Sequence, residues 1–242
     1  MTGASRGIGQ ALAFDLASRG AKVTITYSSD RSKQGADALV SRIKSEANSE
    51  VIDVQCDLKS PEAPKQIVDA TIKAFGQHID ILVNNAAIIS ASYAQDVTIE
   101  HFDDVFYTNV RAPLLMLQAV LPHLRRPGRV INISSVGARQ GYPGTGTYAA
   151  SKAALEGYTR AWAAELGKDG TTVNAVNPGP VQSEMLDQVA REIVEPQLKA
   201  TAVEQRAGKP EEIAEIVAFL ASPASSWVSG QCISASGGYA QY

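Results

Sequence analysis

Tyr148 and Lys152 stand four residues apart in YAASK, a spacing that puts both side chains on one face of a helix. A phenol placed there is a proton donor with a handicap, because unperturbed it titrates at roughly pH 10, too high to exchange protons readily at neutrality. A lysine ammonium one turn away is the neighbour that lowers that value. Thirteen positions before the tyrosine (148 − 135 = 13), at the end of the apolar run RVINIS, stands Ser135, whose hydroxyl can hydrogen-bond a carbonyl oxygen that turns negative during reaction. Ser134 is adjacent, and strand alternation sends the two to opposite faces, so only one meets Tyr148; the spacing to YAASK favours Ser135. Asn109 lies further upstream in a long apolar helical run. Each of these residues alone is ordinary, and the four in this order are specific.

A second chemical feature opens the chain. In MTGASRGIG, Gly3, Gly7 and Gly9 are spaced G-x-x-x-G-x-G, which suits a phosphate-cradling turn because glycine lets the backbone approach a ligand closely and take positive φ. Past the following strand-like run stand Tyr27, Ser28 and Ser29, then Asp30 and Arg31, with Arg6 inside the loop itself. An acidic group at such a site takes a ribose 2′-hydroxyl, whereas basic groups accommodate a 2′-phosphate. Two cations and two hydroxyls favour NADP(H), and Asp30 keeps NAD(H) open.

The elements that must position these residues alternate. Ile8, Leu12 and Leu16 recur at helical spacing with Gly20 as a stop, and KVTITY then reads as a strand. Leu39, Val40, Ile43 and Ala47 mark a helix, VIDVQC a strand, Ile67 to Phe75 a helix closed by Gly76, and IDILV a strand. A longer helix is expected from about Ile99 to Leu124, kinked or restarted at Pro113, followed by the strand RVINIS, a helix from Tyr148 to Leu166, the strand TVNAV, a helix from Glu211 to Leu220, and a last strand in GQCIS. Six strands alternating with helices predict an α/β fold, a parallel sheet covered on both faces with ligands beyond the carboxyl ends of its strands. GARQGYPGTGTY has turn composition, and Pro178 to Arg206 reads as a long irregular active-site segment.

With 242 residues, 45% of them hydrophobic, the chain suits one domain, residues 1–242. A net charge of -3 without a run of basic residues excludes a nucleic-acid or anionic-membrane footprint and points to a small-molecule partner. Cys56 and Cys232 read as buried structural thiols, and His78, His101 and His123 are scattered, so no metal site is expected. No apolar stretch approaches the roughly 20 residues that span a bilayer, and residues 1–20 lack the pattern of a signal peptide, so a cytoplasmic protein is expected.

In TGASRGIG, CDL, VNNAA, YAASK and NPGPVQS the sequence resembles the short-chain dehydrogenase/reductases over nearly its whole length, and within them the NADPH-dependent ketoreductases, including 3-oxoacyl carrier-protein reductases and fungal polyhydroxynaphthalene reductases. The resemblance implies a Rossmann-like doubly wound sheet in three α/β/α layers. It implies cofactor contacts from Gly3, Ser5, Arg6, Gly7, Ile8 and Gly9, from Tyr27, Ser28 and Ser29, from Asp57 and Leu58, and from Asn85 and Ala86. Pro178, Gly179, Val181 and Ser183 would flank the nicotinamide. It further implies that Lys152 holds the nicotinamide ribose together with Tyr148, that Asn109 positions water in a proton relay, and that the chain forms a homotetramer or homodimer through the helices near 99–124 and 148–166 and the last strand.

The activity so implied is reduction of a ketone to a secondary alcohol, on a hydrophobic, aromatic or acyl substrate lined by segments 90–93 and 138–143 and by Met185 and Leu186. Two other readings stand beside it: a non-catalytic nucleotide- or partner-binding relative, and a tyrosine-dependent dehydratase or isomerase. Three positions depart from the family pattern: Ala87 for glycine, Ser236 for aspartate and Ser183 for threonine. The largest departure is the first strand. Family members carry about seven apolar residues before Thr2-Gly3, and without them two rows of backbone groups would go unpaired, each costing about 1 to 3 kcal/mol if buried. The expectation is a recorded start later than that of the functional chain, with a filled gap or an impaired fold as the alternatives.

Overall fold

A computed structural model describes every residue except Gln188 and Ala190, and the side chain of Met185 is likewise outside the described set. The elements, in chain order, are α1 (Gly7–Ser18), β1 (Val23–Tyr27), α2 (Asp30–Arg42), β2 (Val51–Gln55), α3 (Ala63–Phe75), β3 (Ile79–Asn84), α4 (Ile99–Phe106), α5 (Ala112–Val120), β4 (Leu124–Ile133), α6 (Gly146–Leu166), β5 (Thr172–Pro178), α7 (Glu184–Asp187), α8 (Arg191–Ala200), α9 (Pro210–Ala221) and β6 (Cys232–Ala235). All strand pairs are parallel. β1 pairs with β2, and a separate ladder runs β3-β4-β5-β6.

Successive strand residues point to opposite faces, and both faces are filled. Leu82, Val130 and Val173 meet Ile67, Met116 and Trp162 of α3, α5 and α6 on one side. Val83, Ile131 and Val176 meet Leu12, Val217 and Leu220 of α1 and α9 on the other. Apolar runs without polar alternation are what a sheet covered on both faces requires. This is the three-layer α/β/α arrangement that the alternation predicts.

The interval between β1 and β3 departs from the expectation of wholly unpaired backbone. Residues 1–4 run through the carboxyl-end part of that interval. The Met1 nitrogen donates to the Thr24 carbonyl at 2.8 Å, Thr2 N to the Val83 carbonyl at 3.1 Å, and Ala4 N to the Thr26 carbonyl at 3.0 Å. The Thr2 hydroxyl accepts from Asn85 N and Ala86 N, each at 3.1 Å. The end of the sheet from which the glycine loop hangs is therefore stitched together.

Two helical expectations are refined. The long helix expected from Ile99 to Leu124 is four pieces: α4, a wide π-type turn over Tyr107–Arg111, α5 and a 3-10 turn over Leu121–His123; Leu124 already belongs to β4. Pro113 accounts for the break, since it has no N–H for the carbonyl of residue 109 four positions earlier, and it lies in the first turn of α5 where that N–H is dispensable. Pro178 to Arg206 is also more ordered than its composition suggests, because it contains α7 and α8. Among the described residues no helix is long and apolar enough to cross a membrane.

Candidate active site

The glycine loop is shaped by contacts that leave no room for side chains. Gly3 has φ +66°, and a Cβ on it would lie 2.8 Å from Ala86 Cα; a Cβ on Gly9 would lie 2.1 Å from the Gly3 carbonyl oxygen and 2.6 Å from Asn85 Nδ2. Asn85 in turn donates from Nδ2 to the carbonyls of Thr2 at 3.0 Å and Gly3 at 2.7 Å. Loop, β3 end and α1 are thus locked into one cradle, with the N-terminus of a 12-residue helix, a favourable place for phosphate, at its floor. Gly35, which the sequence reading passed over, belongs to it: a Cβ there would meet the Ser5 carbonyl oxygen at 2.3 Å, so α2 can approach the loop only with glycine. A lone glycine inside a helical pattern was the available signal.

Around the loop the predicted contacts divide. Ser28 and Ser29 are exposed past the end of β1, where a ribose would reach them, whereas Tyr27 turns into the core and burial raises its phenol pKa. Asp57 is exposed and accepts from Lys59 N at 2.9 Å, while Leu58 is buried beneath it. Ile8 packs against the α1–α9 core cluster, and Ser5 is half-buried. Arg6 reaches away from Ser28 and Ser29 in this structure, to Glu184 Oε2 of α7 at 2.7 Å. That pair is correctly spaced but exposed on both sides, so it contributes little and a stronger anion can displace it.

Pro178 and Val181 are buried and Gly179 is half-buried; a Cβ on Gly179 would meet Ser236 Cβ at 2.9 Å. Ser236, standing where the family has aspartate, accepts from Ala240 N at 3.1 Å and so holds the segment after β6 without a charge. Ser183 Oγ caps Leu186 N at 3.2 Å, and its Cβ lies 3.5 Å from where a Gly7 Cβ would be. The glycine loop and the segment before α7 therefore lie close together, with Ser183 facing Gly7.

Ser135, Tyr148 and Tyr142 converge around Gly137. A Cβ at Gly137 would lie 3.3 Å from Ser135 Oγ, 3.7 Å from Tyr148 Cε1 and 3.9 Å from Tyr142 Cε2. Ser135 Oγ accepts from Gly137 N at 3.0 Å, whereas Ser134 Oγ is spent on the Lys152 carbonyl at 3.2 Å, on the other side of the chain. Of the two serines, the structure brings Ser135 to the tyrosine.

Burial governs the protons. The Tyr148 pKa is raised by desolvation, and contact with Ser135 draws it back. Lys152 is 2% exposed, its ammonium donates to the Ile133 carbonyl at 2.8 Å, and desolvation lowers its pKa to about 7. Its Nζ lies 5.7 Å from the centre of the Tyr148 ring. The lowering of the phenol by Lys152, expected from sequence, is not what acts on it here: burial raises it, and the contact that lowers it is with Ser135.

Asn109 sits in the π-type turn with 1% exposure. Its Nδ2 donates to the Ile88 carbonyl and to Ser151 Oγ, each at 3.0 Å, and its Oδ1 accepts from Ile88 N at 2.9 Å. Ser151 Oγ then donates to the Tyr148 carbonyl at 2.7 Å. The side chain is fully occupied in tying the loop after β3 to α6, and Pro113, which has no N–H, cannot pair with the Asn109 backbone carbonyl four residues earlier. Tyr93 is 59% exposed, and Ser92 N beside it donates to the Gly144 carbonyl at 2.8 Å, which ties the expected pocket segment 90–93 to the residue just past the segment 138–143. The expected lining by Met185 lies outside the described residues; Leu186 is half-buried. Cys56 is buried with a raised pKa, whereas Cys232 is only partly covered, beside Arg139 and Glu156.

The comparisons agree with this geometry. A family model described as enoyl-(acyl carrier protein) reductase matches residues 3–240. The chain is 43% identical to the short-chain dehydrogenase/reductase FrzI of a Cladobotryum species, covering 98% of this chain and 93% of that one. It is 38% identical to the versicolorin reductase stcU of Emericella nidulans, over 98% and 93% of the two chains. Among solved structures, a blue fluorescent protein from a metagenomic library in complex with NADPH superposes with a TM-score of 0.93 at 37% identity, covering 99% of this chain and 96% of that one. A cradle built for phosphates, a serine–tyrosine–lysine cluster beside it and matches along almost the full length lead to one conclusion: the chain belongs to the short-chain dehydrogenase/reductase family and is an oxidoreductase.

Proposed function

We propose that the protein is an NADPH-dependent ketoreductase acting on a hydrophobic or aromatic ketone, with residues 1–242 working as one cofactor-binding domain in the cytoplasm. The observation that carries this reading is the convergence of Ser135 and Tyr148 around Gly137, with Lys152 buried beneath the tyrosine. The residues present fit the dinucleotide: glycines 3 and 9 form a cradle that any Cβ would fill, and Ser28 and Ser29 stand free where the adenosine ribose would lie. NADPH held there supplies a hydride to the carbonyl carbon of the ketone.

The chain's own residues handle the oxygen. The Ser135 hydroxyl donates to the carbonyl oxygen and holds it beside Tyr148 Oη. Tyr148 gives its proton to that oxygen as charge develops. The resulting phenolate is stabilised by the Lys152 ammonium, favoured again once an anion lies beside it, and the Asn109 carbonyl holds a water through which the proton is restored. Arg6, released from Glu184, and Arg31 turn to a 2′-phosphate, which is why NADP(H) is preferred over NAD(H).

The test is NADPH oxidation with a panel containing 2-tetralone, 9,10-phenanthrenequinone and ethyl acetoacetate. Turnover by the parent and a loss of about 10²–10⁴ in kcat for Tyr148→Phe, with NADPH affinity retained, is expected for removal of a general acid. A Tyr148→Phe variant as active as the parent would sink this reading. Exposed apolar side chains favour a homo-oligomer: Ile99 and Phe102 on α4, and Trp227, 99% exposed beside β6.

A further inference from the structure

The stretch from Val136 to Thr145 connects Ser135 to the helix bearing Tyr148, so it fixes the distance between the two hydroxyls. It is gripped from outside by residues to which the reduction chemistry assigns no part. Arg139 Nε donates to Glu156 Oε2 at 2.8 Å, and the Arg139 guanidinium lies over the Tyr242 ring at 4.4 Å from its centre. The Tyr142 hydroxyl is hydrogen-bonded to the Tyr239 hydroxyl at 2.8 Å and to the Gln140 side-chain oxygen.

Glu156 anchors this grip. It lies eight residues past Tyr148 (156 − 148 = 8), about two turns along the same helix, and is 4% exposed. A buried carboxylate is tolerated only when paired and hydrogen-bonded. Here one oxygen takes Arg139 and the other takes Asn177 Nδ2, which also donates to the Tyr242 hydroxyl at 2.9 Å. The loop, α6, the end of β5 and the segment after β6 meet at one buried charge.

We infer that Tyr239, Tyr242 and Glu156 are positioning residues, a clamp through which the segment after β6 holds the Ser135 loop against the Tyr148 helix. The inference rests on the reading of Ser135 and Tyr148 given above. The clamp makes no contact with the glycine loop and nears the expected nicotinamide segment only through Asn177, next to Pro178, so loosening it changes the reacting geometry far more than cofactor affinity. A misplacement of the order of 1 Å suffices for about a hundredfold loss in rate.

The experiment compares Tyr239→Phe, Tyr242→Phe, Tyr242→Ala and Glu156→Gln with the parent, in amide hydrogen exchange, NADPH fluorescence titration and steady-state reduction of 2-tetralone. Expected for Tyr239→Phe, Tyr242→Ala and Glu156→Gln are faster exchange confined to residues 136–145, NADPH affinity within about twofold, and a kcat for 2-tetralone down about tenfold or more with little change in KM, as a misplaced reacting group requires. Tyr242→Phe, which keeps the ring over Arg139, should recover most of what Tyr242→Ala loses. Should Glu156→Gln fail to fold, the tyrosine variants decide. Parent-like exchange overturns the clamp whatever the ketone, and faster exchange with parent-like kcat reduces it to a structural brace. Tyr148→Phe, run in parallel, separates the two ideas. If it is inactive while the clamp variants match the parent, the clamp alone fails; if it too is active, the active-site reading fails.

Discussion

A buried lysine with no carboxylate beside it is an expensive residue, and Lys152 shows what the expense does. Desolvation lowers its pKa from 10.5 to about 7, and among the described residues its hydrogen-bond partner is the Ile133 carbonyl. In the unfolded chain the group binds its proton up to its ordinary value, so between pH 7 and 10.5 the unfolded state holds more protons and stability rises with pH through that window. Below about 7 both states are protonated, and the cost of burying the charge is carried in full. Urea denaturation of the cofactor-free protein should therefore show its midpoint climbing from pH 7 toward 10 relative to Lys152→Met, which lacks the slope. Parallel curves for the two proteins would show that Lys152 keeps its proton throughout. A lysine buried at such a cost with no carboxylate partner among the described residues is characteristic of a functional site.

At the scale of elements, the chemistry depends on where helices are interrupted. Pro113 ends the helical bonding of the Asn109 carbonyl, and the π-type turn that results places the Asn109 side chain against Ile88 and Ser151. A proline within an apolar helical run is visible in sequence; which side of it would widen is not, because that depends on the packing of β3 and α6 around the turn. The glycine loop is the same problem in reverse. Its spacing is weak as a motif, yet the 2.1 Å between a Gly9 Cβ and the Gly3 carbonyl shows that the turn tolerates no side chain. Gly9→Ala should fold with α1 displaced and bind NADPH at least about tenfold more weakly, a loss of about 1.4 kcal/mol or more, measured by fluorescence titration; unchanged affinity would mean that the loop is not the cofactor cradle.

The whole molecule is organised around the carboxyl ends of its strands, where residues 1–4 join the β1–β2 ladder to the β3–β6 ladder through Thr24, Thr26 and Val83. Its surface carries apolar groups that a lone copy leaves in water, chief among them Trp227. On the proposal of a homo-oligomer held through this face, Trp227→Glu should lower the mass observed by light scattering to that of a smaller assembly while leaving the melting temperature of the protomer within a few degrees. An unchanged assembly would place the interface elsewhere, with Ile99 and Phe102 the next faces to alter. The alternation of strands and helices and the three-layer sheet were legible in the chain read in order, and spacing made Asn109, Ser135, Tyr148 and Lys152 candidates, because periodicity and spacing are local properties of the sequence. Only the tertiary structure showed that Ser134 is spent on the Lys152 carbonyl while Ser135, already favoured by spacing, meets Tyr148, that Arg6 pairs with Glu184, and that Arg139, Glu156, Tyr239 and Tyr242 close on the segment after Ser135. Those contacts join segments as far apart as residues 139 and 242, and the physical reason they escape the sequence is that burial and three-dimensional neighbourhood, not local propensity, set which of many similar polar side chains become partners.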